Sequence, residues 1–258
     1  MNRVGSAITL IQADAREALR GIPPCTMDAV ITDPPYGDFQ NAPSGGRETD
    51  DWAEWDGTGV TFDPAVWGDM LLAAKPGALL LAFNTPRIVH RMATAIEAAG
   101  WEIRDGIVWR YRTGQVHSKR HLKPGWEAIV VGRKPLAEST VEGNIRKWGV
   151  GGFFAEAEKQ RSDRWPENVM EVPKPSPAEK EGNKHPTVKP VELMRRLIRV
   201  STQRGGIVLD PFLGSGTTAV AAVLEGRGCV GIEAIPRYVE LARYRVAEAE
   251  SYQEGDYQ

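Results

Sequence analysis

Ile207-Val208-Leu209-Asp210-Pro211-Phe212-Leu213-Gly214-Ser215-Gly216-Thr217-Thr218 reads as a buried strand, a glycine-rich turn and the start of a helix running to Leu224. A second strand, Cys229 to Glu233, follows, and Glu233 lies 23 positions after Asp210. Strand, glycine turn, helix, strand, acid is the layout that holds a nucleoside in a doubly wound α/β sheet. Gly214 and Gly216 let backbone approach a ligand where side chains would collide. Glu233 is spaced to accept hydrogen bonds from ribose hydroxyls. A nicotinamide fingerprint would require glycine where Ala219 stands, and a phosphate-binding P-loop would require a lysine after Gly216, where Thr217 stands. A glycine turn alone is also an ordinary structural turn, so the rest of the chain must decide its meaning.

Near the other end, Asp28-Ala29-Val30-Ile31-Thr32 forms a short buried strand that runs into Asp33-Pro34-Pro35-Tyr36. Ligands of open α/β sheets bind beyond the carboxyl ends of the strands, which is where this turn falls. An exocyclic amine on a planar base is a poor nucleophile because its lone pair is delocalised into the ring. Methylating it calls for acceptors that hold its hydrogens and draw the nitrogen toward a tetrahedral shape. Asp33 offers a carboxylate and Pro34 a carbonyl whose direction the consecutive prolines fix. Tyr36 offers a ring on which the base can stack. A plain strand-ending turn is the competing interpretation. Agreement with the glycine loop and Glu233 argues against it.

Between these motifs the pattern alternates. Ile8 to Gln12 is a predicted strand, Ala15 to Leu19 a short helix, Pro64 to Ala74 a helix, Gly77 to Phe83 a strand and Thr85 to Ala99 a helix. Trp101 to Arg112 and Trp126 to Gly132 are two further strands. Gly37 to Gly59, with Trp52 and Trp55, is long and acidic and is expected to be a mobile loop over the active site. Leu136 to Lys184 shows no helix–strand alternation and reads as an insertion. A helix from Pro190 to Val200 resumes the rhythm, and another begins at Pro236. Four segments result: 1–135, the insertion 136–184, 185–248, and a polar tail 249–258 expected to fray.

The chain has 258 residues and a net charge of −2, so it is no basic coat for nucleic acid. The charge is uneven, however. Eight Lys or Arg against two acids lie between Arg104 and Lys134, a pattern that serves either as a phosphate footprint or as a solvated face. No apolar run approaches the roughly 18 residues that span a bilayer, and the start lacks a secretory core, so no membrane association and a cytoplasmic location are expected. Cys25 and Cys229 lie far apart and read as reduced thiols. His117 and His121 have no neighbouring acid or thiol, so no metal site is expected.

Asp33-Pro34-Pro35-Tyr36, then His185-Pro186-Thr187-Val188-Lys189-Pro190, then Asp210-Pro211-Phe212-x-Gly214-x-Gly216 is an order that resembles the permuted, β-class DNA amino-methyltransferases over nearly all of residues 7 to 248. The resemblance implies a seven-stranded, mostly parallel, doubly wound sheet with one antiparallel strand, and S-adenosyl-L-methionine as methyl donor. It implies Asp33, Asp210, Phe212, Gly214, Ser215, Gly216 and Thr217 around that cofactor, Glu233 on its ribose, Thr187 and Lys189 near its methionine end, and Asp14 near its adenine. Ala13 stands where the family usually has glycine before that acid. D-P-P-Y leads among N6-adenine members and S-P-P among N4-cytosine members, so adenine is expected and cytosine stays open. Double-stranded DNA is the implied partner, with the target base flipped. Expected phosphate contacts are Arg110, Arg112, Lys119, Arg120 and Lys123 on the basic loop. Expected base readout comes from the insertion through Arg146, Lys147, Arg161 and Arg164, with Trp148 and Trp165 either touching DNA or packing. A homodimer fits the family, and any restriction endonuclease would be a separate chain. Methyltransferases acting on RNA or on protein glutamine carry related turns but place the cofactor loop first. A binding protein that had lost catalysis would show damage at Asp33, Tyr36 or the glycines, and none is seen.

Overall fold

The computed structural model describes residues 7–37, 58–114, 119–120, 122–177, 179–180, 182–183, 185 and 187–255, apart from the side chains of 160–162 and 253–255. The expected mobile loop, with Trp52 and Trp55, falls almost wholly outside the described residues, as do His117 and His121.

Among the described residues, eight strands form one sheet: β1 (Ile8–Gln12), β2 (Met27–Thr32), β3 (Ala74–Asn84), β4 (Glu102–Arg110), β5 (Trp126–Arg133), β6 (Val169–Glu171), β7 (Ile207–Asp210) and β8 (Gly228–Glu233). Their order is β1-β8-β7-β2-β3-β5-β4-β6. β5 alone runs antiparallel, against both β3 and β4, and every other pairing is parallel. The single antiparallel strand is as expected. The eighth strand is β6, a three-residue edge strand from inside the expected insertion.

The α-helices among the described residues are α1 (Ala15–Ala18), α2 (Pro64–Ala73), α3 (Val89–Ala98), α4 (Val141–Trp148), α5 (Ala155–Ser162), α6 (Val191–Ser201), α7 (Thr217–Leu224) and α8 (Pro236–Gly255). All six residues of β2 are buried, because successive side chains point to opposite faces and both faces are covered. Ala29 and Ile31 join a core with α6, α7 and α8, whereas Val30 joins a second core with α2 and α3. Within the polar tail, α8 continues to Gly255, with Ala249 buried against the first core; residues 256–258 lie outside the described residues.

The described part of residues 136–184 folds onto this body. Thr140 caps α4 by accepting from the Gly143 N–H at 3.0 Å, and Gly149 ends it in the left-handed region at φ 78°. Buried Asn144 donates to the carbonyls of Pro76 (2.7 Å) and Val150 (2.6 Å) and accepts from the Ala137 N–H at 3.0 Å. α5 is tied to α6 through Glu158, which accepts from Arg199 Nε at 2.7 Å. Trp109 Nε1 donates to the Val172 carbonyl at 2.8 Å and pins the exit of β6. α5 has little apolar periodicity, and both helices are anchored by single polar side chains that no sequence pattern marks. No helix among the described residues is long and apolar enough to cross a membrane.

Candidate active site

Chain order along the sheet reverses between β7 and β2: β8 lies outward of β7 on one side, and β3 lies outward of β2 on the other. A crevice opens at the carboxyl ends of strands flanking such a switch point. The Asp33–Tyr36 turn leaves the end of β2 there, and the Pro211–Gly216 loop leaves the end of β7 beside it. Glu233 ends β8 on the same edge. Its carbonyl accepts from the Ala13 N–H at 3.1 Å, which brings Asp14 alongside.

One carboxylate locks the two halves. Asp210 is buried and accepts from Thr32 Oγ1 (2.8 Å), the Phe212 N–H (3.1 Å) and Thr218 Oγ1 (2.5 Å). Burial raises its pKa to about 6 against the opposing pull of those hydrogen bonds. Asp210 therefore organises the β2–β7 junction and the start of α7, rather than presenting a free carboxylate to a ligand. Glu233 accepts from the Gly214 N–H and the Ile235 N–H, both at 2.8 Å, and burial pushes its pKa up. It fixes the glycine loop while leaving lone pairs open. Asp14 caps α1 and pairs with Arg16 at 2.7 Å, which lowers its pKa.

The glycines have a packing reason that the sequence did not reveal. A Cβ at Gly216 (φ +86°) would lie 2.7 Å from Ala242 Cβ on α8, and one at Gly214 (φ +55°) would lie 2.9 Å from His185 Nε2. Close approach here is protein against protein. Ser215 is buried, accepts from Asn183 Nδ2 at 3.0 Å, and its carbonyl accepts from Arg245 Nη1 at 2.6 Å. Arg245 also donates to Thr217 Oγ1 at 3.2 Å. Phe212 is half-buried against the second core.

The turn itself is held from several directions. The Pro35 carbonyl accepts from Thr61 Oγ1, and Trp67 Nε1 donates to the Thr61 carbonyl at 2.9 Å. Pro34 and Pro35 are buried. Lys189 Nζ donates to Asp33 Oδ2 and to the Tyr36 hydroxyl (3.4 Å), and lies 3.6 Å from Glu127 Oε2. It also sits over the rings of Phe83 (5.2 Å) and Tyr36 (5.6 Å). Lys189 is only 7% exposed; burial alone would lower its pKa, but the Asp33 and Glu127 carboxylates outweigh this and raise it. The Tyr36 hydroxyl donates to Glu127 Oε2 at 3.0 Å, and burial with two nearby carboxylates drives its pKa well up. Asp33 Oδ1 is buried and has no hydrogen-bond partner among the described residues.

The fold thus unites Asp33, Tyr36 and Lys189 across 156 positions of sequence, and sets the glycine loop and Glu233 on the same edge. Thr187 is exposed, its N–H donating to His185 Nδ1 at 3.3 Å, and is not drawn into the Asp33 cluster. Glu127, Phe83, Thr61, Asn183 and Arg245 were missed. Glu127 looked like a stray acid in a basic stretch; only the reversed direction of β5 carries its first residues to this edge.

The expected DNA contacts divide. Arg110 ends β4 on the site's edge and Trp126, its partner across the ladder, begins β5 there. Arg112 pairs with Glu171 at 2.7 Å, Lys123 donates to the Arg112 carbonyl at 3.0 Å, and Lys119 and Arg120 are exposed on the same connection. Arg146 and Lys147 instead lie on α4, which Asn144 fastens to Pro76 near the amino end of β3, the opposite edge of the sheet. Lys147 there pairs with Glu138 at 2.6 Å. These two expected base-readout residues thus stand at the edge of the sheet opposite the Asp33 turn. Arg164 is exposed in the connection before β6, near Trp165, whose ring lies 4.5 Å from Lys159 Nζ; the Arg161 side chain is outside the described residues.

Residues 27–244 match the pattern of the N6/N4 DNA methylases, described as DNA methylase. The chain belongs to that family. It is similar to the type II methyltransferase M2.DpnII of Streptococcus pneumoniae, 30% identical with 94% of this chain and 90% of that protein covered. It is also similar to the DNA adenine methyltransferase YhdJ of Escherichia coli K12, 28% identical over 95% and 85% of the two chains. M1.HpyAVI, solved as a complex with S-adenosylmethionine, superposes with a TM-score of 0.66 at 25% identity, covering 93% of this methylase and 98% of that chain. The cytosine-N4-specific PvuII DNA methyltransferase shares the fold, with a TM-score of 0.68, 16% identity and coverage of 96% and 94%.

Proposed function

We propose that this DNA methylase transfers a methyl group from S-adenosylmethionine to the exocyclic N6 of an adenine flipped out of duplex DNA. The observation that carries the reading is Asp33 Oδ1, a buried carboxylate oxygen without a partner, beside an aromatic ring and across the switch point from the glycine loop. A buried acceptor left unpaired costs roughly 1–3 kcal/mol unless a ligand completes it.

S-adenosylmethionine, when bound, supplies an electrophilic methyl group on a sulfonium centre. The residues present fit such a cation: the carboxylates of Asp33 and Glu233 lie at the crevice, where Lys189 is the one buried ammonium among the described residues. Glu233 would take the ribose hydroxyls on its open lone pairs, and the Phe212–Thr217 loop would wrap the nucleoside, with Ser215 and Thr217 acting through Arg245. Asp14 would sit at the adenine end, beside Glu233.

For the target base, Asp33 Oδ1 accepts one amine hydrogen and the Pro34 carbonyl the other, localising the lone pair on nitrogen. Tyr36 stacks on the base. The proton shed by the amine has the Asp33 carboxylate as its nearest acceptor. Residues on the Arg110–Lys123 connection contact phosphates, and residues 136–184 supply part of the target recognition through the face carrying Arg164 and Trp165. Adenine rather than cytosine is favoured by the Asp33-Pro34-Pro35-Tyr36 form of the turn and by the similarity to YhdJ.

Asp33→Ala should abolish methyl transfer to duplex DNA while the cofactor dissociation constant, read by calorimetry, changes less than about threefold. Near-wild-type turnover in that variant would reject the role of the turn. Mass spectrometry of nucleosides from methylated DNA separates N6-methyladenine from N4-methylcytosine. Substituting Lys119, Arg120 and Lys123 by alanine should weaken DNA binding and flatten its salt dependence, whereas Arg146→Ala with Lys147→Ala should leave both unchanged.

A further inference from the structure

Glu127 has no place in the reading so far, yet it touches both groups that flank Asp33. It enters the site because β5 is the sheet's one reversed strand, so residues that open β5 stand level with the carboxyl ends of β2 and β3. Its Oε2 accepts from the Tyr36 hydroxyl at 3.0 Å and lies 3.6 Å from Lys189 Nζ.

Two consequences follow from that geometry. A ring tied through its hydroxyl to a carboxylate cannot rotate about its bond to the main chain or tilt freely, so Tyr36 presents one plane. The second consequence concerns charge. Lys189 is buried and donates to Asp33 Oδ2, leaving Oδ1 as the open acceptor. A cation given wholly to Asp33 would withdraw electron density from that acceptor. With Glu127 sharing the cation, two carboxylates face one ammonium, and a surplus negative charge remains where an amine becomes positive.

We propose that Glu127 is a positioning residue for base methylation: it fixes the Tyr36 ring as a stacking surface and takes up part of the Lys189 charge, which keeps Asp33 an effective acceptor. This rests on the assignment of the Asp33 turn to amine methylation. Glu127 itself does not contact the reacting atoms.

The test is single-turnover methyl transfer to unmethylated duplex DNA, with cofactor affinity and melting temperature measured on the same preparations. Glu127→Gln keeps the size and an oxygen for the Tyr36 hydroxyl but removes the charge. It should lower the single-turnover rate by about 10-fold or more, with the cofactor dissociation constant and the DNA KM within about twofold of wild type and an unchanged melting temperature. Tyr36→Phe removes the tether from the other side and should also slow transfer. The double variant should be no slower than the more damaged single variant by more than about threefold, because the two residues act as a unit. A wild-type rate in Glu127→Gln overturns the proposal, as does a loss of rate that travels with cofactor affinity and melting temperature, or two single effects that simply multiply. A wild-type protein that methylates no DNA would instead remove the assignment of the Asp33 turn, and this proposal with it.

Discussion

Gly216→Ala separates two explanations of the glycine loop. If glycine is there to admit a ligand, alanine leaves the ligand-free protein stable and blocks cofactor binding. The structure points the other way. Gly216 sits at φ +86°, and an added Cβ would stand 2.7 Å from Ala242 Cβ and 2.9 Å from Ala242 Cα, inside any real carbon contact. The left-handed backbone costs alanine roughly 1–2 kcal/mol. Forcing a methyl against α8 adds about 1–3 kcal/mol, since helix backbone cannot step aside as a flexible side chain does. The expected loss is about 2–5 kcal/mol, or roughly 10 °C in melting temperature for a chain of this size. Two comparisons calibrate it. Gly214→Ala meets only the tip of the His185 ring and should lose about 1–2 kcal/mol. Gly68→Ala, inside α2 with nothing within 4 Å of the new methyl, should gain up to about 1 kcal/mol. Urea and thermal unfolding of ligand-free protein read all three, and Ala242→Gly should partly restore the first. A Gly216→Ala protein that melts within about 2 °C of wild type but binds S-adenosylmethionine at least 10-fold more weakly would refute this account.

His185 is held neutral: burial, then the charges of Lys189 and Arg245, push its pKa down to about 4. Its contribution to stability is complete above pH 6.5 and is lost as the pH falls from about 6.5 toward 4, with a loss near 2 kcal/mol at pH 5. The stability difference between wild type and His185→Gln should therefore shrink on acidification; a difference that stays constant between pH 7.5 and 5 would contradict this. Arg199→Met removes a guanidinium from which Glu158 and Glu225 accept at 2.7 and 2.8 Å, leaving Glu158 beside Arg196 and Glu225 beside Arg195, and should cost about 1.5–3 kcal/mol by urea unfolding. A loss below about 1 kcal/mol would show that neither acid depends on that arginine. Glu233→Ala should weaken S-adenosylmethionine binding by about 10- to 100-fold in calorimetry, the worth of hydrogen bonds to a charged group, and an unchanged affinity would remove it from the ribose.

Local pattern carried much of this protein. The alternation at β2, the strand–glycine–helix run at Asp210 and the position of Asp33-Pro34-Pro35-Tyr36 after a buried strand required only neighbours in sequence. They defined a doubly wound sheet with chemistry at its carboxyl edge, because burial on two faces imposes a period that short windows reveal. The two helices of residues 136–184 escaped notice since their anchors are single polar side chains, Asn144 and Glu158, whose partners lie far away in the chain. The glycines were legible as glycines, but their reason was not, because the atoms they avoid belong to α8 and to His185.

Motif identity and motif order were thus fixed by sequence: the acid, the rigid prolines, the aromatic ring and the glycine loop are properties of short segments. The partners of Asp33 were decided only by tertiary structure. Lys189 comes from 156 positions away, and Glu127 reaches the same crevice because β5 alone runs backwards. Charge balance in a buried site depends on distances of a few ångströms between residues remote in the chain. Those distances follow from strand direction and sheet order, which no local pattern encodes.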